Sequence, residues 1–271
     1  MGALKSSKVI PRRMNFQFAD NIPRYWFSDD QFKSILMTAF SATLPEGERF
    51  FIRSFRHFQP MIKDAELQAD VRGFIGQEAH HGYEHDAFNA LMTQAGMPTL
   101  AIENLVKRFL DWFSKNMSPE RQLAKTVALE HFTAMFGEMI LMYPEILKGA
   151  HPQVKQLWLW HALEEVEHKS VAFDVYKEQV DNEWIRLSEM FVNTFTFIGF
   201  YSIHYFQLKH QLNDKTDWRS VYDGWQWLLG KKSGVLNKIG KHYLEFYHKD
   251  FHPNQRNTDN LVKKWREKLH L

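Results

Sequence analysis

The chain has 271 residues, 44% hydrophobic and 24% charged, with 34 Lys+Arg against 32 Asp+Glu and a formal net charge of +2. These are the values of a folded globular protein without the basic stripe of a nucleic-acid binder. There is no cysteine, which excludes disulfides, iron–sulfur clusters, zinc ribbons and thiol nucleophiles, and leaves His, Asp and Glu as metal donors, a set that suits iron, manganese or zinc.

Residues 1–27, with Pro11 and Pro23, read as an irregular arm. Lys5, Lys8, Arg12 and Arg13 lie there without an apolar run, so it is not a secretory signal and a cytoplasmic protein is expected. Met1-Gly2 with Ser6 matches a loose myristoylation pattern, read as coincidence. Strand signals are nearly absent and helical periodicity runs almost throughout. Ser28 is positioned to cap a helix over 29–43, and Pro45 to open a second over 46–57. Further helices are predicted over 65–94, 99–115, 119–142, 152–179 and 182–211, with shorter segments near 217–229, 234–249 and 257–270. The fold class is all-α: a ferritin-like four-helix bundle with additional N- and C-terminal helices. The domain reading is an arm at 1–27, a di-metal bundle with a flanking apolar helix at 28–211, and a helical extension at 212–271.

The stretch Met190–Leu208 has no Lys, Arg, Asp or Glu, yet contains Asn193, Thr194, Thr196, Ser202, His204 and Gln207. Those polar residues favour a buried or dimer-interface helix. Peripheral membrane contact through 190–208 is the alternative, and a true span the least favoured.

The stretch Trp160–Tyr176 organises the site. His161, Glu165 and His168 fall at i, i+4 and i+7, one face of a helix, in a stripe continued by Val154, Leu157, Ala172 and Val175. Imidazoles and a carboxylate facing a core are costly unless something binds them, and a metal ion is the simplest such thing. Other helices offer partners on similar stripes: Glu48 with Phe51, Ile52 and Phe55; Glu78 and His81 with Phe74, His85 and Phe88; Glu130 with Leu123, Val127 and Ala134. The order Glu48, Glu78-x-x-His81, Glu130, Glu165-x-x-His168 is the pattern of di-metal carboxylate bundles, one Glu from each of two helices and Glu-x-x-His from each of the other two. Two divalent cations would nearly neutralise four interior carboxylates. His161 reads either as a further ligand or as a core imidazole hydrogen-bonded to a neighbour. His85 reads as a supporting residue behind the ligands, and His80 and His131 point elsewhere. A rival motif, His81-Gly-Tyr-Glu84-His85, matches the inverted zinc-protease pattern but leaves Glu48, Glu130, Glu165 and His168 without a role.

Several segments resemble the bacterial family of predicted metal-dependent hydrolases: Pro45-Glu-Gly-Glu48-Arg-Phe-Phe, Phe74-Ile-Gly-Gln-Glu78-Ala-His-His81, Leu129-Glu130-His131-Phe-Thr-Ala134, Trp160-His161-Ala-Leu-Glu-Glu165-Val-Glu-His168-Lys and the late Tyr247-His-Lys-Asp-Phe251-His252-Pro253. The resemblance runs from about residue 20 to about residue 255. His161-x-x-x-Glu165-x-x-His168 is also similar to the last metal helix of the p-aminobenzoate N-oxygenase type of di-iron enzyme, which implies a metal-site architecture and not a substrate. The leading expectation is a non-haem di-iron oxidase or oxygenase acting on an apolar or aromatic small molecule, with dioxygen as co-substrate and two iron ions, or manganese or zinc in their place. The alternatives are a di-metal-dependent hydrolase of an ester, amide or phosphoester, and a non-catalytic metal-binding bundle. No nucleic-acid partner is expected, and a homodimer is plausible through the apolar helix.

Overall fold

The computed structural model describes residues 9–231 and 234–271. Residues 1–8, which include Met1-Gly2, Lys5, Ser6 and Lys8, lie outside the described residues. The fold is all-α, and among the described residues β structure is limited to one isolated bridge between Phe27 and Ala150. The helices are α1 (Gln31–Phe58), α2 (Ala65–Gln94), α3 (Leu100–Asn116), α4 (Pro119–Met142), α5 (Pro152–His168), α6 (Val171–Gln179), α7 (Glu183–Leu212), α8 (Trp218–Leu229), α9 (Val235–Glu245) and α10 (Asp259–Leu269).

Helix α1 packs on α2 and α4, and α5 packs on α4 and α2, so these four close into a ring around a shared interior. Helices α3 and α7 lie outside against α1, α7 also covers α4, and α9 and α10 cover α4 and α5 from the other side. Helix ends follow local chemistry. Asp64 accepts from the backbone N–H of Glu66 and Leu67 to start α2, Ser118 with Pro119 starts α4, and Asn182 accepts from Ile185 to start α7.

The predicted boundary at Pro45 is not there. Residues 31–58 form one helix with Pro45 inside it. Proline has no N–H to donate to the carbonyl one turn back, which in an ordinary helix leaves that carbonyl unpaired. Here the Ser41 carbonyl instead accepts from the Asn89 side-chain amide of α2 at 3.2 Å. The start of this helix also shifts. Ser28 and Asp29 have φ of 54° and 56°, and the cap is Asp30, whose carboxylate accepts from Lys33 N–H at 2.9 Å.

The predicted helix 152–179 is bent into α5 and α6 at Lys169-Ser170. The Lys169 ammonium reaches the Arg256 carbonyl at 2.6 Å and Thr258 Oγ1 at 2.9 Å, and Asn254 donates to Ser170 Oγ at 3.1 Å. The C-terminal segment thus holds the bend.

No helix among the described residues is long and apolar enough to cross a membrane. Helix α7 is not a buried helix of the monomer either. Met190, Asn193, His204 and Leu208 face inward, while Phe191, Phe195, Ile198 and Phe206 are exposed.

Candidate metal centre

All seven residues predicted as ligands converge inside the four-helix ring. Three groups have donor atoms within 4.8 Å of one another: Glu48 with His81 and His161; Glu78 with His81 and Glu165; Glu78 with Glu130 and His168. Every one of them is buried, Glu78, His81 and His168 completely. Helices α1 and α4 each supply one carboxylate, and α2 and α5 each supply a Glu-x-x-His pair, with His161 one turn earlier on α5. Close packing at Gly137 of α4 brings α5 in, since a Cβ there would stand 2.8 Å from the Ala162 carbonyl oxygen and 3.1 Å from Glu165 Cβ.

Hydrogen bonds behind the cluster decide which ring nitrogens face it. The Asn89 amide donates to Ser41 O, so its Oδ1 is the group that accepts from Ser41 Oγ at 2.7 Å. The hydroxyl proton is therefore spent, and Ser41 Oγ must accept from His85 Nδ1–H at 2.8 Å. His85 Nε2 is then bare and accepts from His161 Nδ1–H at 2.9 Å. This leaves the lone pair of His161 Nε2 pointing at Glu165 Oε1, 2.9 Å away. The same logic fixes His168. Gln77 donates its amide N–H to Glu167 Oε2 at 2.9 Å and accepts from His168 Nδ1–H at 2.9 Å. His168 Nε2 thus faces Glu165 and Glu130 at 3.3 Å each and Glu78 at 3.4 Å. A supporting hydrogen bond that fixes the tautomer of a metal-binding imidazole is the usual arrangement behind such ligands.

The donor set is short of hydrogen-bond partners. Among the described residues, both carboxylate oxygens of Glu48, Glu78 and Glu130, and both ring nitrogens of His81, are buried without a hydrogen-bond partner. Orphaned buried polar atoms on this scale are rare in folded proteins and call for a ligand. The proton affinities say the same. Burial, and then Glu78, pushes the Glu48 carboxyl well above the ordinary range, and burial with Glu78 and Glu165 pushes Glu130 up to about 8. Against burial, Glu164 and Glu78 raise the His81 imidazole, and Glu165 and Glu130 raise His168. Burial opposes ionisation of Glu165 too, yet His168 holds it well below the usual carboxylate range. Protons occupy places that cations would fill, so an all-oxygen-and-nitrogen donor set for two divalent ions fits these residues.

His85 is not among the grouped donors. It hydrogen-bonds His161 at 2.9 Å. Burial, and then His161 and His81, lower its pKa and keep it neutral. The zinc-protease alternative fails on Glu84, whose carboxylate accepts from the backbone N–H of Asn15 at 2.6 Å and of Phe16 at 3.1 Å, facing the arm. His131 is buried against His242, Phe246 and Phe251, away from the cluster.

The arm does more than its irregular sequence suggests. Arg12 donates to Glu164 at 2.9 Å and to both oxygens of Glu167 at 2.7 and 2.9 Å, and Arg266 of α10 donates to Glu167 at 2.6 Å. Glu164 in turn stands 3.2 Å from His81 Nε2. Arg12, Gln77, Ser41 and Asn89 carry no spacing signal that would have marked them. Gln77 and Asn89 sit beside predicted stripes, but Arg12 had nothing to point to it.

The family described as "Predicted metal-dependent hydrolase" matches residues 10–257. The chain belongs to this family. The match spans the arm that carries Arg12 and the segment that bends α5 from α6 as far as residue 257, short of Thr258 and Arg266. No curated protein and no solved structure matches the chain.

Proposed function

We propose that this member of the family holds two divalent metal ions in a ferritin-like helical frame, and that it hydrolyses an ester, amide or phosphoester, the reaction class its family is described by. One observation carries the metal reading: His161 Nε2 and Glu165 Oε1 are two acceptors 2.9 Å apart, beside the orphaned oxygens of Glu48, Glu78 and Glu130. Glu48, Glu78, His81, Glu130, His161, Glu165 and His168 are the proposed ligands. A bound pair of ions would polarise a carbonyl or phosphoryl oxygen and make water acidic near neutral pH. The protein's own part is to fix the donors. His85 and Gln77 set the ring tautomers, and Arg12 with Arg266 neutralises Glu164 and Glu167 behind them.

A second reading, oxidation of an apolar substrate by dioxygen at two irons, is favoured by the dryness of the surroundings. Phe55 stacks on Phe74 at 4.4 Å, Phe74 meets the His168 ring at 4.8 Å, and Trp160 meets His81 at 4.9 Å. Aromatic walls of this kind exclude bulk water, which a hydrolase must admit and an oxidase must limit.

Metal analysis of protein purified without added metal, an optical spectrum, and turnover of p-nitrophenyl esters and phosphates test both. Two metal ions per chain with hydrolytic turnover support the first reading. Two irons, a charge-transfer band and no hydrolysis replace it with the second. Glu130→Ala and His168→Ala should each bind well below two ions per chain, and full occupancy in both would remove the ligand assignment.

A further inference from the structure

An apolar cavity of about 100 Å³ lies between α1, α3, α4 and α7, outside the four-helix ring. Aromatic rings dominate its wall: Phe40, Phe51, Phe109, Phe197, Phe200 and Tyr201. An apolar space of this order holds a small ring or a short chain rather than ordered water.

One charged group faces this space. Lys125 of α4 lines the cavity and is almost fully buried, at 2% exposure. Its ammonium donates to the Asn193 side-chain oxygen and lies over the rings of Phe113 at 4.7 Å and Phe109 at 5.3 Å. Among the described residues no carboxylate forms an ion pair with it. The nearest acidic influence, Glu189, pairs with Arg121 at 2.6 Å. A buried ammonium with spare donors and no counter-charge is costly, and a bound anion would offset that cost.

The cavity also reaches the helices that bear the proposed ligands. Leu44, Gly47 and Phe51 of α1 flank Glu48, and Leu129 and Thr133 of α4 flank Glu130. A Cβ added at Gly47 would meet nothing within 4 Å, so the space beside Glu48 is open on this side. Lys125 lies more than one helical turn before Glu130, while Gly47 and Thr133 line the cavity beside Glu48 and Glu130.

We propose that this cavity is the substrate site, and that the substrate is an apolar molecule with a carboxylate head. The head pairs with Lys125, the apolar part fills the aromatic wall, and the ester, amide or phosphoester at the molecule's other end points toward the seam between Glu48 and Glu130. The assignment to the metal centre's substrate rests on the proposed function; the carboxylate site itself stands on the cavity and its lysine.

The test is binding of octanoate against octan-1-ol by calorimetry, with metal content measured on the same samples. Wild-type protein should bind octanoate at least tenfold more tightly than the alcohol. Lys125→Met and Lys125→Gln should each bring that ratio below twofold with metal content unchanged. Thr196→Trp, which fills the cavity from α7, should abolish binding of both probes. In manganese-loaded protein the terminal-methyl proton signal of bound octanoate should broaden more than that of the α-methylene. Equal affinity for acid and alcohol in the wild type, an unchanged ratio in both Lys125 variants, binding that survives Thr196→Trp, or stronger broadening at the α-methylene would each overturn the proposal. Failure of the metal reading looks different: no ion is bound, yet octanoate keeps its Lys125-dependent preference.

Discussion

His161 Nε2 faces Glu165 Oε1 across 2.9 Å with no proton of its own to donate, because its Nδ1–H is committed to His85. The orientation begins at Ser41 and Asn89 and passes through His85. Replacing His85 by Phe keeps a ring in place but lets His161 adopt the other tautomer. His85→Phe should therefore bind metal roughly tenfold or more weakly. Competition against a chromogenic chelator measures this, and unchanged affinity would refute the role given to His85.

Pro45 couples to the same chain of contacts. Restoring an N–H with Pro45→Ala gives the Ser41 carbonyl a helical partner and competes with the Asn89 amide. The variant should be at least as stable as the wild type, because an interior proline costs a helix about 3 kcal/mol. It should also hold metal less tightly, since the Asn89 amide can then turn. Thermal melting of metal-free protein beside chelator competition separates the two effects.

Gly137 is a steric prediction. Any side chain there meets the Ala162 carbonyl at 2.8 Å, and that atom is backbone that cannot swing aside. Gly137→Val should force α4 and α5 apart, lowering stability by about 2–3 kcal/mol and displacing Glu165. Urea denaturation of metal-free protein reads the first effect and metal stoichiometry the second.

Arg12 is a prediction about the arm. Its loss would leave the buried Glu164 carboxylate without its arginine, while Glu167 keeps Arg266, and breaking a buried pair from one side costs about 3 kcal/mol. Arg12→Ala should lower the urea midpoint even without metal.

His204 of α7 sets a pH dependence remote from the cluster. Burial pushes its imidazole down to about 4, and neither ring nitrogen has a hydrogen-bond partner. The unfolded chain takes up a proton near pH 6.5 while the folded one refuses it, so stability is complete above that pH and falls as the pH drops toward 4. His204→Leu should flatten the decline between pH 6.5 and 4 and raise stability at neutral pH by about 1 kcal/mol, since a buried unpaired polar group is removed. Thermal midpoints at pH 5 and pH 8 check both.

The sequence exposed the converging Glu and His residues because each sits on an apolar stripe where a charged group is conspicuous, as Glu48 does among Phe51 and Phe55. Helix limits at α2 and α4 were equally legible, and the spans 65–94 and 119–142 are the observed ones. Pro45 misled because its local rule, that proline opens helices, gave way to a distant partner, Asn89, that no local pattern reveals. The bend at Lys169-Ser170 was hidden for the same reason, being held by residues 254–258. The cavity beside Lys125 depends on how α3 and α7 lie across α1 and α4, and a single helix pattern carries no such information. Of the expected buried or dimer-interface helix, α7 departs from the buried form, because Phe191, Phe195 and Phe206 lie exposed on the face opposite Asn193 and His204.

Arg12 and Glu164 are separated by 152 positions in the chain. During synthesis at about 5–20 residues per second, the arginine waits on the order of ten seconds or more for its acidic partners to leave the ribosome. Helices α1 and α2 can pair in that interval, but the cluster cannot close until α5 arrives and the first-made residues fold back over it. Assembly of the centre thus runs from the helices outward to the chain's start, with the earliest residues the last to lock.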